Sequence, residues 1–394
     1  MNLSKIYSAQ FDIVRPFIVE IEADIIKKGN PVFKIVGLPD KAVEEAKERV
    51  SAAVKNSGYE NPKRYKVTVS LSPADIKKTG PIFDLPIALA VLLANGEIEF
   101  NIENKIFLGE LSLDGKLRKI SGVLSMVKTA KEKGYKSVYL PKENKEEAAV
   151  VSGINIFPVS SLKEIIEHLI EEGKKDKKME NIIRPFSMTK EEILKQAKSN
   201  LKIIDFSDVR GQEITKRAME IAAAGGHNLA MYGPPGTGKT MLARAFCGIL
   251  PELSEEQALE VTQIHSASGV LSVPYINIPP FRSPHHTASH VAIIGGGANI
   301  KPGEATLAHR GVLFLDEFVE FDKRVLESLR EPMEDSFVNI SRAKGTAKFP
   351  ANFILIAALN PPSEVYAVDG YVSNKDRLKF NKKLSGPIID RIDL

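Results

Sequence analysis

One cysteine, Cys247, is all that 394 residues contain. That scarcity excludes a disulfide framework and a zinc-finger array and suits a reducing compartment. Lying in a helical run, Cys247 reads as a small apolar packing residue. Long apolar runs are missing too, since no window approaches the roughly 18 uninterrupted residues of a membrane span. The opening Met1-Asn-Leu-Ser-Lys-Ile-Tyr7 has no basic segment leading into an apolar one, so the chain is expected in the cytoplasm, off any membrane. Net charge is small, +4 at neutral pH, and only its distribution could argue for a nucleic-acid partner. What is present is ordinary globular material, 43% apolar, in a length that suits two or three domains with real cores.

Up to about residue 170 the pattern alternates strand and helix. Ile18-Val-Glu-Ile-Glu22 and Lys66-Val-Thr-Val-Ser-Leu71 have the period of two expected of strands, and Asp40 to Asn56 has the period of an amphipathic helix. Leu85 to Leu93 is apolar on most sides, a buried helix introduced by the Gly80-Pro81 break. Ser121 to Lys133 predicts a helix closed by Gly134, with Ser137 to Pro141 as a short strand after it. Residues 171–200 turn charged and polar around Glu171-Glu-Gly-Lys-Lys-Asp-Lys-Lys178, which reads as a solvated linker in preference to a nucleic-acid contact because its signs are mixed. Residues 201–394 return to folded-domain composition.

In that second part, Met231-Tyr-Gly-Pro-Pro-Gly-Thr-Gly-Lys-Thr240 fits GxxxxGK[ST] and follows the apolar Asn228-Leu-Ala-Met-Tyr232. Strand, glycine loop and helix in that order make a phosphate cradle. Gly233, Gly236 and Gly238 permit the tight turn, and Pro234, Pro235 and Thr237 complete the loop, while the new helix turns its positive end to the anion. Lys239 is expected at the β and γ phosphates of ATP and Thr240 at Mg2+; the plain alternative is a glycine turn between a strand and the helix from Met241 to Gly248. A second strand, Gly311-Val-Leu-Phe-Leu-Asp-Glu317, carries two carboxylates to its end. Asp316 is expected to orient Mg2+ and Glu317 to polarise the attacking water. A third, Asn352 to Leu359, ends at Asn360-Pro361, where an amide can hold that water or sense the γ-phosphate.

These features resemble an AAA+ ATPase, with Asn360 in the sensor 1 position. Phe206-Ser-Asp-Val-Arg-Gly-Gln212 resembles the segment that packs on the adenine, so Asp208, Val209 and Met241 join the nucleotide candidates. Leu384-Ser-Gly-Pro-Ile-Ile-Asp-Arg391 resembles the corresponding segment of magnesium chelatase and MCM ATPases. In those families its arginine reaches a neighbour's nucleotide, which makes Arg391 a candidate trans-acting finger; the alternative is a surface arginine paired with Asp390 or Asp393. The resemblance implies a homo-oligomeric ring, most often a hexamer, and an α/β core that stops before the usual helical lid.

Phe281-Arg-Ser-Pro-His-His-Thr-Ala-Ser289, Gly295-Gly-Gly297, Lys301-Pro-Gly-Glu304 and Thr306 to Glu317, with Phe33 to Asp40 and Phe83 to Leu89 near the start, are similar to the ComM/YifB family of magnesium-chelatase-like AAA+ proteins. That likeness implies a bacterial competence-related DNA motor, a ring helicase driving branch migration. The alternatives are a metal-chelatase motor subunit and a nucleotide-binding scaffold without turnover. Residues 1–170 also resemble the Lon proteolytic domain, through Gly109 to Gly115 and Tyr139 to Asn144. In that resemblance Ile82 and Leu124 stand where Lon needs its serine nucleophile and lysine base, so proteolysis is not expected; nearby Ser72, Lys77 and Lys78 read as surface residues.

Five of the seven histidines lie from His265 to His309. His285, His286 and His290 invite a metal hypothesis, but their spacing does not assure one helix face and no nearby cysteine or carboxylate is expected to complete the site. Phosphate or subunit contacts are the better expectation, and no zinc is expected after Asn360. Ser341-Arg-Ala-Lys-Gly-Thr-Ala-Lys348 lies between two strand patterns with Gly345 at a turn. In the related rings a hairpin at this place points into the pore, where Arg342, Lys344 and Lys348 would meet the DNA backbone; the alternative is a solvated basic turn.

Overall fold

The computed structural model describes residues 3–12, 15–27, 30–172, 183–199, 204–297, 300–342, 345–361 and 388–394. The chain divides into two compact units, Met1–Lys195 with Gly269–Pro274 and Gln196–Ser268 with Tyr275–Leu394. Among the described residues no helix is long and apolar enough to cross a membrane.

In the first unit the elements that build the core are β1 (Leu3–Asp12), β2 (Arg15–Ile26), β3 (Val32–Val36), α1 (Ala46–Asn56), β4 (Lys66–Ser72), α2 (Asp84–Asn95), β5 (Lys105–Phe107), α3 (Val123–Glu132), β6 (Ser137–Pro141), β7 (Asn155–Val159) and α4 (Leu162–Glu172). One sheet runs β1-β2-β4-β3, antiparallel except for its last pair, and a second, parallel sheet runs β5-β6-β7. The period of two decides which residues go inside: Val19, Ile21, Val67, Val69 and Leu71 are all buried, and their odd-numbered partners across β2 and β4 lie in register (Ile21 with Leu71). Helix α2 is apolar nearly all round and is buried along most of its length against β1 and β2. Asp40 accepts from Val43 N–H and starts the helical stretch before α1, and Gly134 follows α3 in the left-handed region (φ +86°).

Two residues read as surface groups, Ser72 and Lys77, are half-buried and exposed. Lys78 corrects that reading: it is fully buried, with its ammonium donating to the carbonyls of Pro73 and Ile76, and burial lowers its pKa. Backbone carbonyls of its own loop satisfy the charge, which composition alone does not reveal. Ile82 (8% exposed) and Leu124 (0%) are packing residues. Most of the lysine run around residue 175 lies outside the described residues; nearer the end of the linker stretch, Phe186 pairs with Ile156 and α5 (Lys190–Ser199) is helical.

The second unit is built on a four-stranded sheet. Its elements include α6 (Glu213–Gly225), β8 (Leu229–Tyr232), α7 (Lys239–Ile249), β9 (Phe281–Arg282), β10 (Val312–Leu315), α8 (Arg330–Asp335), β11 (Phe337–Arg342), β12 (Gly345–Pro350) and β13 (Ile354–Leu359). The sheet order is β8-β13-β10-β9 and every pair is parallel. All four residues of β10 are 0% exposed, as a parallel strand covered on both faces requires. Leu242, Ala245 and Phe246 of α7 pack with Leu229 and Met231 of β8, Phe314 of β10, Ile356 of β13 and Val209. Cys247 lies in the same core, and burial pushes its thiol up to about 12, so it is an inert packing group.

Candidate nucleotide-binding site

Parallel strands end on the same edge of a sheet, and here the register brings three ends together. Tyr232 pairs with Leu359, so Gly233 and Asn360 leave adjacent strands side by side, and Gly233 N–H donates to Leu359 O at 3.1 Å. Leu315 pairs with Ala357, which brings Asp316 out on the other side of β13. Between Gly233 and Lys239 the chain turns through Gly236 (φ +82°) and Gly238 (φ +85°), a conformation that costs a side-chain-bearing residue about 1–2 kcal/mol. Gly238 is the N-cap of α7 and no side chain caps it. The first helical bond is Leu242 N–H to Gly238 O, so the N–H groups of Lys239, Thr240 and Met241 point out of the helix end, the arrangement that suits a polyphosphate.

The side chains converge on the same edge. Thr240 Oγ1 donates to Asp316 Oδ2 at 3.1 Å across the strand gap. Lys239 Nζ donates to Gly233 O (2.7 Å) and Pro234 O (2.9 Å), which keeps its ammonium inside the loop. Glu317 lies in the left-handed region (φ +51°), with its N–H donating to Asp316 Oδ1 at 2.9 Å. Among the described residues Asn360 Oδ1 is buried without a hydrogen-bond partner, and an orphaned acceptor of this kind at a strand end marks a place where a bound group or water supplies the donor. Pro234, Pro235, Gly236, Gly238, Thr240 and Met241 are exposed, while Gly233, Thr237 and Lys239 are half-buried. Asp208 ends a short 3-10 turn that packs on α7 and returns its carboxylate to Asp205 N–H (3.0 Å), while Val209 enters the core beside it.

His286 and His290 do not share a helix, because Ser289 caps a helix that starts at His290. His285 packs against His286 (ring centroids 4.2 Å apart) and His286 Nδ1 meets Glu317 Oε2 at 2.7 Å. The expectation that no carboxylate neighbours these histidines is thereby corrected. Glu317 stands 31 positions further along the sequence, and the parallel pairing of β9 with β10 closes that distance. The sequence signalled the histidine cluster and gave no sign of its partner.

Arg391 stands apart from the strand ends in a different set of contacts. Its guanidinium pairs with Glu334 of α8. Its carbonyl accepts from Asn228 Nδ2 at 2.9 Å. Asn228 also accepts from Leu355 N–H (2.8 Å), and Asp393 accepts from Asn228 N–H (2.9 Å), so one asparagine stitches the starts of β8 and β13 to the arginine segment. Nothing in the local sequence pattern marks Asn228 or Glu334.

The basic hairpin forms as β11 and β12, with Arg342 opposite Gly345. Val338, Ile340, Ala347 and Phe349 face inward, whereas Phe337, Asn339, Ser341, Thr346 and Lys348 face out. Lys348 Nζ lies 4.1 Å from the centroid of the Phe337 ring. Lys344 lies outside the described residues, as do residues 362–387 with most of the stretch expected to lack a zinc site.

Comparison with known proteins agrees with this layout. The sequence model of a family described as magnesium chelatase, subunit ChlI, matches residues 205–394, and one described as subunit ChlI of Mg-chelatase matches residues 21–144. The chain is 43% identical over 387 residues to YifB of Escherichia coli, covering 96% of this chain and 72% of that protein. It is 39% identical over 401 residues to the competence protein ComM of Haemophilus influenzae, covering 100% of this chain and 76% of that one. The chain belongs to the ComM/YifB family of magnesium-chelatase-like proteins. Archaeal Lon protease of Archaeoglobus fulgidus is 27% identical over 171 residues, 42% of this chain and 27% of that protein. Membership in the ComM/YifB family covers both units of the chain, while the Lon likeness is partial.

Proposed function

We infer that this protein is an AAA+ ATPase that uses Mg·ATP to act on DNA as a ring-forming motor of the ComM type, promoting branch migration during recombination of incoming DNA. The observation that carries the reading is the meeting of Gly233, Asp316 and Asn360 at one sheet edge with Thr240 bonded to Asp316. In it, the N–H groups from Gly236 to Met241 and the ammonium of Lys239 hold the phosphates, and Asp208 and Val209 lie toward the base. Thr240 and Asp316 hold Mg2+, which neutralises charge on the phosphate oxygens when bound. Glu317 orients the attacking water, Asn360 holds it from the second side, and Arg391 serves a neighbouring subunit. Arg342, Lys344 and Lys348 supply a sequence-independent contact to the DNA backbone. Residues 1–170 form a Lon-like domain without the dyad, joined by residues 171–200 to the ATPase core at 201–394.

The test is ATP binding and turnover, each with and without branched DNA at two salt concentrations. Lys239→Ala abolishes binding, whereas Glu317→Gln preserves binding and stops turnover. Equal ATP affinity in wild type and Lys239→Ala refutes the site, and turnover indifferent to DNA refutes the motor. The family description favours one second reading, a metal-chelatase motor subunit. It predicts turnover that needs a porphyrin-binding partner instead of DNA.

A further inference from the structure

We propose that Glu334 is the positioning residue for Arg391, holding the guanidinium at the place from which it serves a neighbour's nucleotide. The proposal rests on the trans-acting role inferred above for Arg391. A finger residue works only if its charge is delivered to a fixed point, because a displacement of about 1 Å can cost roughly 100-fold in rate. Arginine carries a long side chain with large rotamer entropy, so something must hold it before the phosphate arrives.

The contacts on both ends of Arg391 meet that need. At the backbone, Asn228 bonds the Arg391 carbonyl and is itself bonded to β13 through Leu355 N–H. At the tip, Glu334 takes the guanidinium, and the arginine side chain is only 26% exposed. Glu334 does not swing freely. It belongs to α8, which turns through Ser336 (φ +60°) directly into β11, and Asn339 Nδ2 of β11 donates back to Glu331 of α8 at 2.6 Å. The same carboxylate oxygen of Glu334 receives Arg330 Nε at 3.1 Å. Two guanidinium groups, those of Arg330 and Arg391, therefore share the Glu334 carboxylate. Glu334 thus orders the arginine before a phosphate arrives.

The experiment uses mixed subunits of the full chain. Glu334→Gln keeps the size of the side chain and removes its charge, and it is expected to lower kcat by about ten- to a hundredfold with little change in the KM for ATP, because the phosphate loop is untouched. Adding Glu334→Gln to Arg391→Ala produces no further loss. Glu334→Gln subunits retain an intact nucleotide site and Lys239→Ala subunits retain an intact arginine, so the mixture turns over faster than either variant alone. A Glu334→Gln protein that binds ATP normally but is not complemented by Lys239→Ala overturns the proposal, as does one with unchanged kcat. Arg391→Ala mixed with Lys239→Ala is the control. If that pair also fails to recover, or if Arg391→Ala is fully active, the trans-acting role itself has failed, and the two failures are told apart.

Discussion

Removing Arg49 should destabilise the first unit in a way that depends on pH. Asp84 opens α2 at 0% exposure, and it accepts from Arg49 Nε (2.6 Å), Arg49 Nη2 (2.9 Å) and Leu111 N–H (3.2 Å). Burial pushes its carboxyl up to about 6, against the opposing pull of Arg49. The fork geometry argues for an ionised pair at neutral pH, and the guanidinium's pKa is raised by the same contact. Arg49→Met keeps the aliphatic stem and leaves the carboxylate with one backbone donor. Breaking a buried pair from one side costs about 3–5 kcal/mol, a large part of the roughly 5–15 kcal/mol that holds a domain together. The carboxyl escapes by taking a proton, so its folded pKa rises further in the variant. A raised carboxyl pKa contributes stability at low pH that is lost as pH climbs through the folded value, about 1.4 kcal/mol for every tenfold difference in proton affinity between the folded and unfolded chain. The deficit should therefore be small near pH 5 and full near pH 8. Hydrogen exchange of the α2 amides in the whole chain reads the loss locally, free of the two-unit unfolding that complicates a melting curve. Asp84→Asn added to Arg49→Met should restore most of the protection. A loss under about 1 kcal/mol, or one equal at both pH values, would refute the reasoning.

Three further outcomes follow from the same geometry. Gly238→Ala meets no atom within 4 Å of the added Cβ but sits at φ +85°, so the fold should survive with about 1–2 kcal/mol of local strain; nucleotide affinity should drop as the loop relaxes, which calorimetric titration with ATP measures. Burial lowers the pKa of His265 and His309 in the second unit, and His309 Nδ1 accepts from Asn352 N–H at 3.0 Å, a bond that protonation there removes. The neutral forms are the folded ones, so this contribution is complete above the ordinary histidine value and lost as pH falls below it; chemical denaturation at pH 5 and 7.5 should show a weaker second unit at pH 5, and no difference after His309→Gln would exclude His309 as a source. Lys348→Ala with Arg342→Ala should weaken DNA binding equally across sequences and flatten its salt dependence by about one charge per residue; fluorescence anisotropy over a salt series tests this, and an unchanged slope removes the hairpin from the interface.

Local chemistry made much of the fold legible in the sequence. The β2 and β4 alternation reports a half-buried sheet because side chains change face at every residue, and it holds at Val19, Ile21, Val67 and Val69. Glycines at 236 and 238 announce a backbone that only they adopt without strain, and the helix after them begins at Lys239, two residues before the Met241 start expected from the sequence. The acidic strand end is also visible, since four buried β residues followed by two carboxylates leave few other arrangements.

Tertiary structure alone decided which distant residues meet. In a parallel sheet neighbours are joined by long crossovers, so β13 lies between β8 and β10 although it comes last in the chain. No local pattern encodes that order, and it is what sets Thr240 on Asp316, His286 on Glu317 and Arg391 on Glu334. Lys78 teaches the same lesson on a smaller scale, because whether a lysine is solvated or buried depends on the carbonyls that its loop folds around it. The sequence thus determined the chemical groups and the elements that carry them, through forces acting over a few residues. The fold determined their partners, through backbone pairing and packing between segments tens to more than a hundred positions apart.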